Sequence, residues 1–285
     1  MLFMSVKILV DSSSEFTSDE LRQYNLSYVP ISLIFNDCPY LIGIDITTEE
    51  FYHRLVELKE YPKTAQPSPD AFLRIFRQAK QKGDTVIAIL LSSGLSGTVQ
   101  CAHIAKQMAE YDDIHIIDSL SATYGVRILV DEAVRMRDNG YDAPQIVEAI
   151  EALKSRICIH AAVDTLEYLM RGGRVSRIEA AAGTVANIKP IITVNREGKV
   201  DVISKTIGRG RAINDIAKHL ETHPADPAYT SYYIYSLDEG NCVTMRNRLD
   251  KKALHLPNSS QKNLGPTIGA HVGSGVFGVV YIPML

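Results

Sequence analysis

Three hydroxyl-rich stretches carry the clearest chemical potential in this chain: Asp11-Ser12-Ser13-Ser14, Ser92-Ser93-Gly94-Leu95-Ser96-Gly97-Thr98 and Asp118-Ser119-Leu120-Ser121. A serine or threonine hydroxyl donates as well as accepts a hydrogen bond. Several of them gathered at one place make a receptor for an anion or a carboxylate. The second stretch runs directly into a helical pattern, so the backbone N–H groups and dipole of a helix start add positive potential to the hydroxyls of Ser93, Ser96 and Thr98. One such loop is what ordinary helix capping produces. Three of them favour an anion or carboxylate site.

Other catalytic patterns are incomplete. Gly94-Leu95-Ser96-Gly97-Thr98 falls one glycine short of the G-x-S-x-G nucleophile elbow, and a β-branched residue fits that strained turn poorly. A serine hydrolase or esterase using Ser96 with His271 is therefore one alternative reading, ranked below a binding site, and a carrier of another small carboxylate is the other. Gly273-Ser274-Gly275-Val276-Phe277-Gly278 matches G-x-G-x-x-G in letters, yet only seven residues follow it. There is no helix to receive a pyrophosphate and no acidic residue about twenty positions on. His219 and His223 share a helical spacing without forming H-E-x-x-H, and Pro224 follows at once; they read as histidines at a helix C-terminus, not a zinc site. The cysteines at 38, 101, 158 and 242 contain no C-x-x-C pair and read as small hydrophobes in a reducing compartment. No cofactor and no metal are expected. Arg171, Arg174 and Arg177, with Lys205, Arg209 and Arg211, form two short basic clusters that suit a solvated surface or an acidic partner equally.

The elements that must position these residues follow from periodicity. Val6-Lys7-Ile8-Leu9-Val10, residues 85–91 and Ile114-His115-Ile116-Ile117 are apolar runs of strand length, each closed by one of the hydroxyl-rich stretches. Capping boxes at Thr17-Ser18-Asp19-Glu20 and Thr47-Thr48-Glu49-Glu50, and Ser68-Pro69-Asp70, mark helix starts. The helices carry Phe51, Leu55 and Leu58; Phe72, Ile75, Phe76 and Ala79; and Ala102, Ala105 and Met108 along their apolar faces. A further helix begins near Gly125. Strand–loop–helix units in succession mean a parallel sheet flanked by helices, and ligands sit at the carboxyl ends of such strands. After about residue 157 the texture changes to a short helix at Leu166-Glu167-Tyr168-Leu169, a hairpin turning at Asn195-Arg196-Glu197-Gly198, and further helices and strands ending at residues 278–282. The expectation is an α/β protein of two domains: 1–157, an N-terminal α/β domain with a parallel sheet flanked by helices, and 158–285, a C-terminal mixed α+β domain, with the ligand between them.

Composition narrows the function further. The 285 residues hold 30 Lys+Arg against 33 Asp+Glu, a formal charge of −3, with an isoelectric point near 6.2. Without a long basic run, nucleic acid is not the expected partner. The apolar start MLFMSVKILV lacks a basic stretch ahead of it and a small-residue cleavage site after it, and no apolar run reaches the roughly 18 residues of a membrane span. A cytoplasmic location without an integral membrane segment is expected.

Taken in order, Asp11-Ser12-Ser13-Ser14, Thr64-Ala65-Gln66-Pro67-Ser68, residues 92–98, Asp118-Ser119, Leu166-Glu167-Tyr168-Leu169 with Gly172-Gly173-Arg174, Asn187-Ile188-Lys189-Pro190-Ile191 and His271-Val272-Gly273 resemble the DegV family across essentially the whole chain. The resemblance implies a lipid-binding protein that carries a long-chain fatty acid and, in some members, presents its carboxylate to a separate ATP-binding fatty acid kinase subunit. It implies that Thr64 and Ser96 hydrogen-bond the carboxylate, with His271 in support, and with Ser93, Gly97 and Ala65 completing the ligand-binding set. Ala65 stands where the family often has a second hydroxyl, and Gly273-Ser274-Gly275 where it commonly has Gly-Pro-Gly. Arg174 matches an arginine implied in engaging the kinase.

Overall fold

A computed structural model describes residues 5–176 and 187–285; Arg177 of the first basic cluster lies outside them. The chain divides into two compact units, Met1–Ile46 with Thr64–Ser155, and Thr47–Lys63 with Arg156–Leu285. The main division falls at residues 155/156 where the sequence suggests 157. The segment Thr47–Lys63, which composition alone leaves in the first domain, belongs to the second unit. Its reason is tertiary: the Tyr52 hydroxyl donates to the Leu264 carbonyl at 2.9 Å, a bond that no local pattern announces.

The first unit is built on a four-stranded parallel sheet in the order β2-β1-β6-β7, with β1 Val6–Asp11, β2 Leu26–Val29, β6 Thr85–Leu90 and β7 Ile114–Asp118. β6 is buried along its whole length, as a parallel strand covered on both faces must be. One face packs α3 (Pro69–Lys82) and α4 (Thr98–Ala109), whose Phe72, Phe76, Ala102 and Ala105 meet Leu9, Val86, Ala88 and Leu90. Alternation along the strands turns Ile8, Val10, Ile87 and Ile89 to the opposite face, where α5 (Tyr124–Asp138) and α6 (Ala143–Lys154) lie. The short α1 (Ser18–Gln23) carries the expected capping box at Thr17 and Glu20. A three-stranded sheet, β4-β3-β5, stands beside it, made of β3 Ser32–Phe35, β4 Cys38–Leu41 and β5 Lys63–Ala65. Met108, expected inward on α4, is 49% exposed; Ala105 and Ala109 hold the core stripe there and leave Met108 at its margin.

The second unit holds a six-stranded mixed sheet in the order β10-β9-β8-β13-β11-β12. Its strands are β8 Cys158–Ala162, β9 Ile188–Val194, β10 Val200–Ile207, β11 Ser231–Tyr235, β12 Ser259–Asn263 and β13 Phe277–Tyr281. The hairpin of β9 and β10 forms as expected, with a register irregularity between Val202 and Ser204. On one face α8 (Arg209–Thr222) and α9 (Gly240–Lys251) bury Ile213, Ile216, Met245 and Leu249 against Tyr233, Phe277, Val279 and Tyr281. The remaining helices of this unit are α2 (Thr48–Val56), α7 (Glu167–Arg171) and α10 (Pro266–Val272), with α10 packed against both α2 and α7. Leu58, expected inward on α2, is 56% exposed because the helix ends at Val56, before the next inward turn.

Candidate functional site

In the first unit the strand order reverses between β1 and β6, the switch point at whose carboxyl edge open α/β sheets place ligands. The three hydroxyl-rich stretches all lie along that edge, and most of their polar groups fasten the loops to one another. Asp11 is fully buried; its Oδ2 accepts from Leu91 N at 2.7 Å and its Oδ1 from Ser13 N at 2.8 Å. Burial pushes its carboxyl up from the usual range, against the pull of these donors. Ser12 Oγ accepts from Ile31 N at 3.1 Å, and Ser92 N donates to the Ser121 carbonyl at 3.0 Å. Asp118 Oδ1 takes the amides of Ser93 and Leu120, each at 3.1 Å. In that loop Leu120 and Thr123 are held at φ 49°, a conformation costly for side chains of their kind.

The sequence-derived candidates separate on this frame. Ser93 is exposed, and its hydroxyl as well as its amide is turned to Asp118, so it latches the loop. Ser96 is half-buried, and its Oγ lies 2.8 Å from Thr98 Oγ1. In such a pair one hydroxyl donates to the other, and the second keeps a proton to offer to an acceptor. Gly97 is the N-cap of α4 and makes no side-chain cap bond, leaving the positive end of a 12-residue helix next to that pair. Thr64 and Ala65 are half-buried on β5, in the same unit. Ser96 has no left-handed φ, so the strain that defines a nucleophile elbow is missing there; within its unit no described histidine is bonded to its hydroxyl.

One residue of this edge carries no role in the sequence reading. Gln66 follows Thr64 by two positions, and a Cβ placed on Gly97 would lie 2.0 Å from its Oε1 and 2.7 Å from its Cδ. Its Nε2 donates to Cys101 Sγ at 3.0 Å. The signal was available in the Thr-Ala-Gln-Pro run, because alternation along an extended chain sends residues 64 and 66 the same way.

His271 and Arg174 belong to the second unit, with His271 near the end of α10 and Arg174 in the turn after α7. The imidazole lies against Gly172, where an added Cβ would come within 2.3 Å of Nδ1. Arg174 Nη1 donates to the Gly172 carbonyl. Burial and, secondarily, the Arg174 charge pull the His271 pKa down to about 4, so the ring is neutral at pH 7 and offers one N–H donor. Gly273 and Gly275 have φ 74° and 84°, and any Cβ there would strike the Tyr168 ring at 2.4 Å and the Asp164 carboxylate at 2.3 Å; glycine is demanded at both. The G-x-G-x-x-G letters thus serve a tight approach to β13. Arg171 pairs with Glu167 and lies over the Tyr61 ring at 4.0 Å from its centroid. His219 stacks between His160 and His223 and meets Cys158 Sγ at 3.1 Å. Among the described residues no group of three or more His, Cys, Asp or Glu is disposed to hold a metal ion, and no helix is long and apolar enough to cross a membrane.

A two-unit α/β protein with hydroxyl-rich loops and a helix N-terminus along the carboxyl edge of its parallel sheet has clear relatives. The model of the family described as an uncharacterised protein, DegV family, matches residues 5–284. A DegV domain-containing protein of Caldanaerobacter subterraneus subsp. tengcongensis is 34% identical over 276 residues, 97% of this chain and 98% of the relative. The chain belongs to the DegV family. Among solved structures, a fatty-acid-binding DegV family protein from Thermus thermophilus superposes with a TM-score of 0.88 at 28% identity, over 99% of this chain and 100% of that one. DegV, a fatty acid binding protein from Bacillus subtilis, gives 0.84 at 25% identity over 99% and 100%.

Proposed function

We propose that this chain is a carrier of a long-chain fatty acid with no chemistry of its own, and that it holds the acyl carboxylate on Thr64 and Ser96 of the first unit. The observation that carries the reading is the Ser96–Thr98 hydroxyl pair beside the uncapped N-terminus of α4. A carboxylate there receives charge-assisted hydrogen bonds, which fix its orientation, while the tail supplies most of the affinity at up to about 0.8 kcal/mol per buried methylene. The solved relatives named for fatty acid binding support the ligand class. His271, by the family resemblance, is a further donor, and its neutral ring suits an N–H contact better than an ion pair. By the same resemblance Arg174 engages an ATP-binding kinase subunit to which the chain, in the cytoplasm, presents the carboxylate for phosphorylation.

Each charge-assisted bond contributes about 1.5–3 kcal/mol, so Ser96→Ala and Thr64→Ala should each weaken palmitate binding by roughly 10- to 100-fold. Displacement of a fluorescent fatty acid measures it. Unchanged affinity in both variants overturns the site, and a short carboxylic acid that competes as well as palmitate overturns the long-chain ligand.

A further inference from the structure

The glycine at position 97 is not there for its backbone. Its φ of −75° and ψ of 12° are open to any residue. What stands where a side chain at 97 would go is the amide end of Gln66, itself an exposed residue. A Cβ at 97 would sit 2.0 Å from Oε1, 2.7 Å from Cδ and 2.8 Å from Nε2. The amide is held there by its bond to the buried Cys101, one turn into α4. Gln66 therefore reaches from the end of the strand that carries Thr64 to the helix start that follows Ser96, with Pro67 behind it restricting its backbone. Thr64, Gln66, Pro67, Ser96, Gly97 and Cys101 all lie in the first unit.

We propose that Gln66 is a positioning residue: exposed along its flank, with its amide bridging from the end of β5 to the first turn of α4, it sets the spacing of the Thr64 and Ser96 hydroxyls and with it the preference of the site for a carboxylate. This rests on the carboxylate reading above. A receptor made of two hydroxyls on separate elements depends on their separation, because hydrogen bonds weaken steeply when donor and acceptor are misaligned. Loss of the Gln66 amide removes the tie between the end of β5 and the first turn of α4, so the two hydroxyls are no longer held at one separation. Such a loss affects a carboxylate, which needs both hydroxyls, far more than an alcohol with the same tail.

The test measures palmitate and hexadecanol binding to the delipidated full chain and to Gln66→Ala, Gly97→Ala and the double variant. Wild type should prefer the acid. Gln66→Ala should bind palmitate at least tenfold more weakly and hexadecanol within twofold of wild type. Gly97→Ala, whose methyl displaces the amide, should behave alike, and the double variant should be no worse than either single one. Cys101→Ala, which keeps Gln66 and removes only its acceptor, should lower the acid-to-alcohol ratio by a smaller factor and provides a mild variant if the others fold poorly. An unchanged ratio in Gln66→Ala, or equal loss of both ligands, overturns the proposal. A wild-type chain that binds palmitate and hexadecanol equally well overturns the carboxylate reading itself, and the spacer with it.

Discussion

Gly278 stands in the middle of β13, hydrogen-bonded to β8 on one side and β11 on the other, directly opposite Ala161. A Cβ built there meets Ala161 Cα, Ala161 Cβ and the His160 carbonyl oxygen, each at 2.6 Å. Carbon atoms in contact prefer about 3.5–4.0 Å, so the shortfall is close to 1 Å and is presented mostly by backbone. Neither neighbouring strand can yield without breaking its ladder. Alanine would otherwise help, by about 0.4–1 kcal/mol, because it narrows the unfolded ensemble. Overpacking a well-filled interior costs about 1–3 kcal/mol, which outweighs that gain. Gly278→Ala is therefore expected to destabilise the second unit by about 1–2 kcal/mol. At a urea slope of roughly 2 kcal/mol/M its midpoint should fall by about 0.5–1 M. Adding Ala161→Gly should restore only part of this, because the Ala161 Cα and the His160 carbonyl remain in place. A midpoint unchanged or raised in Gly278→Ala would mean that the strands do make room for a methyl, and full rescue in the double variant would show that the backbone is not the obstacle.

Two further predictions concern charge. Arg127, 7% exposed, binds Glu20 through Nη1–Oε2 at 2.9 Å and Nη2–Oε1 at 2.7 Å. Burial works to raise the Glu20 pKa, but Arg127 and the Thr17 donors overcome it and hold it at about 2. A depressed carboxyl adds stability that is present above about pH 4.5 and lost as the pH falls toward 2. Arg127→Ala should cost about 2–4 kcal/mol at pH 7 and remove that acid-limb dependence; an unaltered acid limb in thermal melts would contradict it. His271, held at about 4 against a usual 6.5, also loses stability on acidification, but in a higher pH window. The unfolded chain takes up the proton first, so up to about 3 kcal/mol is lost as the pH falls from 6.5 toward 4. His271→Gln should flatten urea midpoints between pH 7 and 5, and the same slope in variant and wild type would sink the assignment.

Local chemistry made much of the fold legible. β6 declares itself as an unbroken apolar run, and α3 by Ser68-Pro69-Asp70 before a regular apolar stripe. What escaped is decided by tertiary contact. β12 reads Ser-Ser-Gln-Lys-Asn and exists because β11 offers it a parallel partner. Helix α10, which carries His271, has no apolar period, and its Gly269 is required by the Phe51 ring, which an added Cβ would approach to 2.6 Å. The candidate site was legible to a similar degree. The hydroxyl-rich stretches do gather along one sheet edge, yet their residue types did not tell a loop latch such as Ser93 from the Ser96–Thr98 pair, since only geometry says where a hydroxyl's proton goes. For Gln66 alternation signalled the side it shares with Thr64, but not what it touches there, since its partner is a glycine some thirty positions later in the chain.

Whether the chain carries a long-chain fatty acid can be read directly by native mass spectrometry of freshly purified protein followed by organic extraction. An added mass of a few hundred daltons should be present, extract as a fatty acid, and lose occupancy in Ser96→Ala. A bare chain that also fails to take up added palmitate would overturn the carrier reading.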